Sequence, residues 1–193
     1  MFSARRSGGG FGGSNMSTQI VFETHSWSED NDRGIATGWH DGRLSAHGRE
    51  LAAELGARRQ ADSIAAVFTS DLGRAVETAT IAFGHTAIPI LHDWRLRECD
   101  YGEWNGRLAA ELHGERQRYL DTLYPGGESW RQAIQRVSRF LPDLALRWDG
   151  TRVLVIGHVA TRWAFDHLLN GEPLETLIAG DFAWREGWEY WLP

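Results

Sequence analysis

The chain has 193 residues, 42% of them hydrophobic and 24% charged, enough for one domain with a core and too few for two. All 20 basic residues are arginine, which excludes Schiff-base catalysis and a phosphate loop ending in Gly-Lys-Ser/Thr. The net charge of -6 argues against a broad nucleic-acid footprint, and the lone Cys99 excludes an internal disulfide, a Cys-rich zinc site and a Cys-x-x-Cys pair.

Residues 1–17 are Gly/Ser-rich and carry almost nothing to bury. They read as a flexible tail with Met16 as a candidate natural start, and 18–193 as a single domain. Gln19 to Phe22 predicts a short buried strand, followed by a long polar loop with Gly34, Gly38 and Gly42. Ser45 is placed to cap a helix with Leu51, Ala52 and Leu55 on one face, ending near Gly56. Ala65 to Phe68 reads as a second strand. Ser70 is placed to cap the next helix, whose apolar face is Leu72, Ala75, Val76, Ala79 and Phe83. Ile88 to Leu91 suggests a third strand, His92 to Gly106 an irregular loop and Arg107 to Leu123 a helix. A stripe from Trp130 to Leu144 predicts a further helix that restarts at Pro142. Val153 to Ile156 is the strongest strand, Ala160 to Leu169 a helix, and Trp188 to Leu192 a terminal edge strand.

This alternation predicts an α/β three-layer sandwich, with a mostly parallel central sheet flanked by helices. Ligands of such folds bind outside the carboxyl ends of the strands. There the chain places His25, Ser70-Asp71 and Gly157-His158, with Arg74 in the first turn of a helix. An anionic ligand has only arginines, backbone N–H groups and histidines to hold it. A phosphomonoester suits that set: its dianion takes fork-shaped Arg donors, and a neutral imidazole attacks phosphorus without first losing a proton. Most of the ten tryptophans are expected in the core, with some free to face an aromatic or sugar ligand.

His25-x-x-Ser28-x-x-Asn31 with Gly38-Trp39-x-Asp41-x-x-Leu44-Ser45-x-x-Gly48 resembles the opening of the histidine phosphatase superfamily, which includes the phosphoglycerate mutases. Four more segments match in family order: Thr69-Ser70-Asp71-Leu72-x-Arg74, Leu96-x-Glu98-x-Asp100-Tyr101-Gly102-x-Trp104, Pro125-Gly126-Gly127-Glu128-Ser129, and Gly157-His158 with Arg162. The segment Pro125 to Ser129 is similar to a motif of the small-phosphatase branch. The resemblance implies a phosphoglycerate mutase-like fold and a phosphohistidine formed on His25. It implies Glu98 as acid and then base, and Arg74 and His158 as holders of the equatorial oxygens. Ser28, Asn31, Thr24, Glu128 and Arg162 complete the implied substrate contacts. No metal or organic cofactor is implied. The expected partner is a small phosphorylated metabolite, with no nucleic acid and no membrane, in a cytoplasmic protein whose assembly as a homodimer is left open.

The departures are specific. The family's Arg before the nucleophile is Thr24 here, the following Gly is Ser26, and the Gly after the second histidine is Val159. Glu23 points to the same strand face as His25, so a cation is expected between it and the anion, with Arg33 or Arg97 as candidates. His40, His47, His85, His92, His113 and His167 read as structural or exposed, Cys99 as an inert thiol, and Trp184, Trp188 and Trp191 as packing. Two rival readings stand: a same-fold enzyme using His25 and Glu98 for non-phosphatase chemistry, and a non-catalytic phosphate-ligand binder.

Overall fold

A computed structural model describes residues 17–193; the expected tail, Ser17 apart, lies outside the described residues. The strands are β1 (Thr18–Thr24), β2 (Ala66–Thr69), β3 (Ile90–His92), β4 (Arg152–Gly157) and β5 (Trp188–Leu192). The helices are α1 (Glu29–Asp32), α2 (Ala46–Arg59), α3 (Gly73–Phe83), α4 (Ala109–Glu115), α5 (Trp130–Ser138), α6 (Phe140–Trp148), α7 (Val159–Asn170) and α8 (Leu174–Ala179). The strands form one sheet in the order β3-β2-β4-β1-β5. β1 to β4 run parallel, and β5 returns antiparallel along β1, with Phe22 opposite Trp188.

Successive strand side chains leave opposite faces, so the sheet feeds two cores. Ile20, Phe22, Val153 and Val155 pack with Trp130, Phe140, Trp163 and Phe165 from α5, α6 and α7. Val21, Leu154 and Ile156 pack instead with Leu55, Ala79 and Phe83 from α2 and α3. Both faces of β4 are fully buried, and that is why Val153 to Ile156 shows no polar alternation.

Ser45 caps α2, its Oγ accepting the Gly48 N–H at 3.0 Å. The helix runs on to Arg59, past the expected stop at Gly56, because Gly56 packs into α3: a Cβ there would meet the Ala82 carbonyl at 2.4 Å. Ser70 does not cap α3. The cap is Leu72, and the Ser70 hydroxyl bonds His158 instead. The helix expected over Arg107 to Leu123 is α4 and a 3-10 turn, Arg116–Tyr119, because only Leu112 of α4 finds core to bury into. The long stripe divides at Arg139 and not at Pro142. The proline sits in the first turn of α6, where its missing N–H breaks no helical bond. The expected third strand shifts two residues at its start, to Ile90.

Candidate active site

Parallel pairing sets Thr24 of β1 beside Gly157 of β4, and the His25 N–H donates to the Gly157 carbonyl at 2.9 Å. The residues that follow are the two histidines, whose ring centroids lie 5.1 Å apart. Arg74, in the first turn of α3, reaches both. Its Nε donates to His25 Nε2 at 3.2 Å and its Nη2 to His158 Nδ1 at 3.3 Å. The same guanidinium donates to the backbone carbonyls of Gly38 (2.9 Å), His40 (2.9 Å) and Asp41 (3.4 Å), which lock its orientation. Gly38 has φ +56°, and a Cβ on it would lie 1.8 Å from Asn105 Oδ1, so this arginine-holding turn requires glycine.

An arginine only donates, so these bonds assign the tautomers. His25 Nε2 carries a lone pair, and its Nδ1–H donates to the Ser26 carbonyl at 2.7 Å. His158 likewise accepts at Nδ1 and donates from Nε2 to Ser70 Oγ at 2.7 Å. Burial, and next the Arg74 charge, hold His25 neutral down to about pH 3. The same two causes push His158 well below the usual histidine value. Both rings are neutral beside a permanent cation.

Glu98 is buried at the N-terminus of α7. Its Oε1 accepts the N–H groups of Cys99 (2.9 Å) and Ala160 (3.1 Å). Burial raises its pKa above the ordinary glutamate value, outweighing those N–H groups and Arg74. Its backbone carbonyl is gripped by Trp39 Nε1 at 2.7 Å and Arg136 Nη2 at 2.9 Å. His25, Arg74, Glu98 and His158 all line one cleft of about 800 Å3.

The other expected contacts divide. Thr24 lines the cleft. Asn31 borders it too, but its Oδ1 accepts from the N–H and hydroxyl of Ser28, a fully buried residue that caps α1. Ser28 is therefore a buried cap in the loop after His25, its hydroxyl engaged with Asn31 and not turned to the cleft. Glu128 is not in the cleft: it takes Arg136 at 2.8 Å through both carboxylate oxygens and so steadies the arginine that grips Glu98. Arg162 turns to Asp166 at 3.1 Å and stacks 4.5 Å over Trp188, a packing role instead of a substrate contact.

Glu23 is not matched by Arg33 or Arg97. Arg33 pairs with Asp30, and Arg97 holds Asp71 at 2.6 and 2.5 Å. Glu23 Oε1 takes instead Arg59, at 2.9 and 2.7 Å, and Arg58, at 3.2 Å, from the last turn of α2. Arg58 borders the cleft, as do Trp27, Glu54, His113 and Trp184. His113 is exposed, within its expected reading, and Trp184, expected to pack, is exposed at the cleft; neither was expected at the site. Trp188 is buried as expected, whereas Trp184 and Trp191 are more than half exposed. The one available signal was the helical spacing of Leu51, Leu55 and Arg58, which sets all three on one face of α2. Cys99 is buried and its thiol pKa is raised by burial.

No helix among the described residues is long and apolar enough to cross a membrane. The family model for the histidine phosphatase superfamily (branch 1) matches residues 20–182. The chain is 34% identical over 158 residues to a 2,3-bisphosphoglycerate-dependent phosphoglycerate mutase of Parvibaculum lavamentivorans, covering 74% of this chain and 75% of that one. The solved structure of Bacillus stearothermophilus YhfR is similar with a TM-score of 0.76 and 30% identity, covering 88% of each chain. The α-ribazole phosphatase of Shigella flexneri shares the fold with a TM-score of 0.73 at 23% identity, covering 82% of this chain and 83% of that one. With two histidines on one arginine at the ends of paired strands, and the matched model spanning most of its length, the chain belongs to the histidine phosphatase superfamily, branch 1.

Proposed function

We propose that the chain hydrolyses a small phosphomonoester through a phosphohistidine on His25. The observation that carries this reading is the Arg74 guanidinium bonded to both neutral histidine rings, at 3.2 and 3.3 Å, inside the cleft that also holds Glu98. The Arg74 N–H resting on His25 Nε2 marks where an equatorial phosphoryl oxygen sits once substrate displaces it. The Nε2 lone pair then attacks phosphorus as the P–O bond to the alcohol breaks. Glu98, whose pKa burial raises above the ordinary glutamate value, gives a proton from its protonated form to the leaving oxygen. Nδ1 keeps its proton on the Ser26 carbonyl, so the phosphorylated ring is cationic and a good leaving group. In the second step the Glu98 carboxylate takes a proton from water, whose oxygen attacks phosphorus. The bond to Nε2 breaks, orthophosphate leaves, and both residues return to their starting states. Arg74 neutralises the charge spread over the equatorial oxygens, and the neutral His158 ring holds its guanidinium in place.

A mutase reading draws on the phosphoglycerate mutase relative. Two features favour hydrolysis. The connection from Gly106 to Pro125 is short, without the long insertion of mutases, and the segment around Glu128 resembles the small-phosphatase branch. The test is turnover of nitrophenyl phosphate with and without chelator, beside His25→Ala, with intact-mass detection of one added PO3 group on acid-quenched protein. Chelator-resistant turnover lost in the variant supports the reading. Interconversion of phosphoglycerates without phosphate release overturns it in favour of the mutase.

A further inference from the structure

The cleft extends well beyond the phosphate seat, and its outer part has a distinct chemistry. Trp27 and Trp184 come from opposite ends of the chain and border the same cleft. They are 46% and 59% exposed, although large aromatic side chains are ordinarily covered. Trp27 is held: its Nε1 donates to Asp32 Oδ1 at 2.7 Å, and its backbone carbonyl accepts the Ser45 N–H at 3.1 Å. The close approach of α2 is made possible by Gly48, where a Cβ would fall 1.8 Å from that carbonyl. Its indole is thus a fixed wall and not a loose surface side chain. Leu51 and Leu55 add apolar lining to the same cleft.

The charges point the same way. Outside the phosphate seat, the cleft is bordered by the carboxylates of Glu54, Asp181 and Glu186, and by Glu23, which Arg58 and Arg59 neutralise. Arg58 is already spent on Glu23. His113 adds no cation at neutral pH, because burial and the nearby Arg116 lower its pKa. A carboxylate or second phosphate on the substrate would therefore meet like charges with no free counter-ion.

We infer that the substrate is a phosphomonoester whose alcohol carries no anionic group and lays an aromatic or apolar face between Trp27 and Trp184. This rests on the hydrolase reading for its reaction but not for its binding, so binding tests it separately. Calorimetry with two non-hydrolysable probes, benzylphosphonate and carboxyethylphosphonate, gives the comparison. Benzylphosphonate should bind roughly tenfold or more tighter, the scale set by like charges meeting across a partly solvated cleft. Trp27→Ala and Trp184→Ala should each weaken benzylphosphonate by about 3- to 10-fold, the size of one aromatic pairing, and hardly change carboxyethylphosphonate. Glu54→Gln with Glu186→Gln should narrow the gap by strengthening carboxyethylphosphonate.

Equal or tighter binding of carboxyethylphosphonate overturns the inference, as do Trp variants that weaken both probes alike, or failure of both probes to bind. If benzylphosphonate is preferred but no aryl phosphate is hydrolysed, the substrate class stands and the hydrolase reading falls. If phosphoglycerate is hydrolysed faster than nitrophenyl phosphate, the reverse holds.

Discussion

The Nε of Arg74 donates to Nε2 of His25 at 3.2 Å, so the nitrogen proposed as nucleophile rests against a permanent cation. Burial, and next that cation, keep the imidazole unprotonated, and under the proposed function the same N–H is the donor to a phosphoryl oxygen. Arg74→Lys retains the charge but not the fork that spans both histidines. Its kcat on nitrophenyl phosphate should fall about 100- to 1000-fold, as when a preorganised donor to a developing charge is removed. A fall of less than about tenfold would show that the second histidine contact is dispensable for the reaction.

Acid should unfold the protein through its histidines. His158 is buried with its pKa well below 6.5, and His25 is lowered to about 3. Below pH 6.5 the unfolded chain binds protons that the folded one refuses, so stability rises with pH. The contribution is complete above 6.5 and is lost as pH falls from there toward the folded values. Each histidine contributes a slope of up to about 1.4 kcal/mol per pH unit. Urea midpoints at pH 7, 6 and 5 measure this, and His158→Gln should flatten the trend.

Under the proposed function, Glu98 should set the alkaline side of turnover. Its pKa is raised by burial, and the proton it donates is available only below that value. For an alkyl phosphate, whose alkoxide needs a proton to leave, kcat should decline as pH rises through the Glu98 pKa. Glu98→Gln should remove that decline and lower kcat by about 100- to 10,000-fold. Nitrophenyl phosphate, whose leaving group departs unprotonated, should lose less. Equal losses on both esters would remove Glu98 from the role of acid.

Thr24 borders the cleft at the position where the resemblance to the superfamily leads to the expectation of an arginine. Thr24→Arg should raise kcat/KM for nitrophenyl phosphate about tenfold or more, by adding a clamp on the transferring group. A drop in a folded Thr24→Arg protein would show that the position is not a vacant clamp.

Glu23 is buried and takes three hydrogen bonds from Arg58 and Arg59. Glu23→Gln leaves those two partly buried guanidiniums without their carboxylate and should cost about 1–3 kcal/mol of stability. Thermal denaturation at low and high salt reads it. An unchanged midpoint would mean that Asp62, which accepts from Arg59 Nη1 at 3.0 Å, and solvent satisfy the arginines without Glu23.

Much of the fold was legible because its signals are local. The apolar runs at Ile20 to Phe22 and Val153 to Ile156 are central strands, and Trp188 to Leu192 is the edge strand. The helix expected from Arg107 was not one helix, since its length depended on core surface supplied by distant segments. Ser70 has the chemistry of a cap, yet its hydroxyl was claimed by a histidine 88 residues away. Ser28, Glu128 and Arg162 lie in matching motifs, but their side chains build the scaffold around the site.

The sequence by itself determined the order of strands and helices, and with it the four residues that could gather at the carboxyl rim. Hydrophobic period and motif spacing are properties of neighbouring residues, and they survive without knowledge of the sheet. Only the tertiary structure decided which arginines would face Glu23 and that Trp184 would line the same cleft as Trp27. Those pairings join segments far apart in the chain, and the sheet order that brings them together leaves no mark on local periodicity.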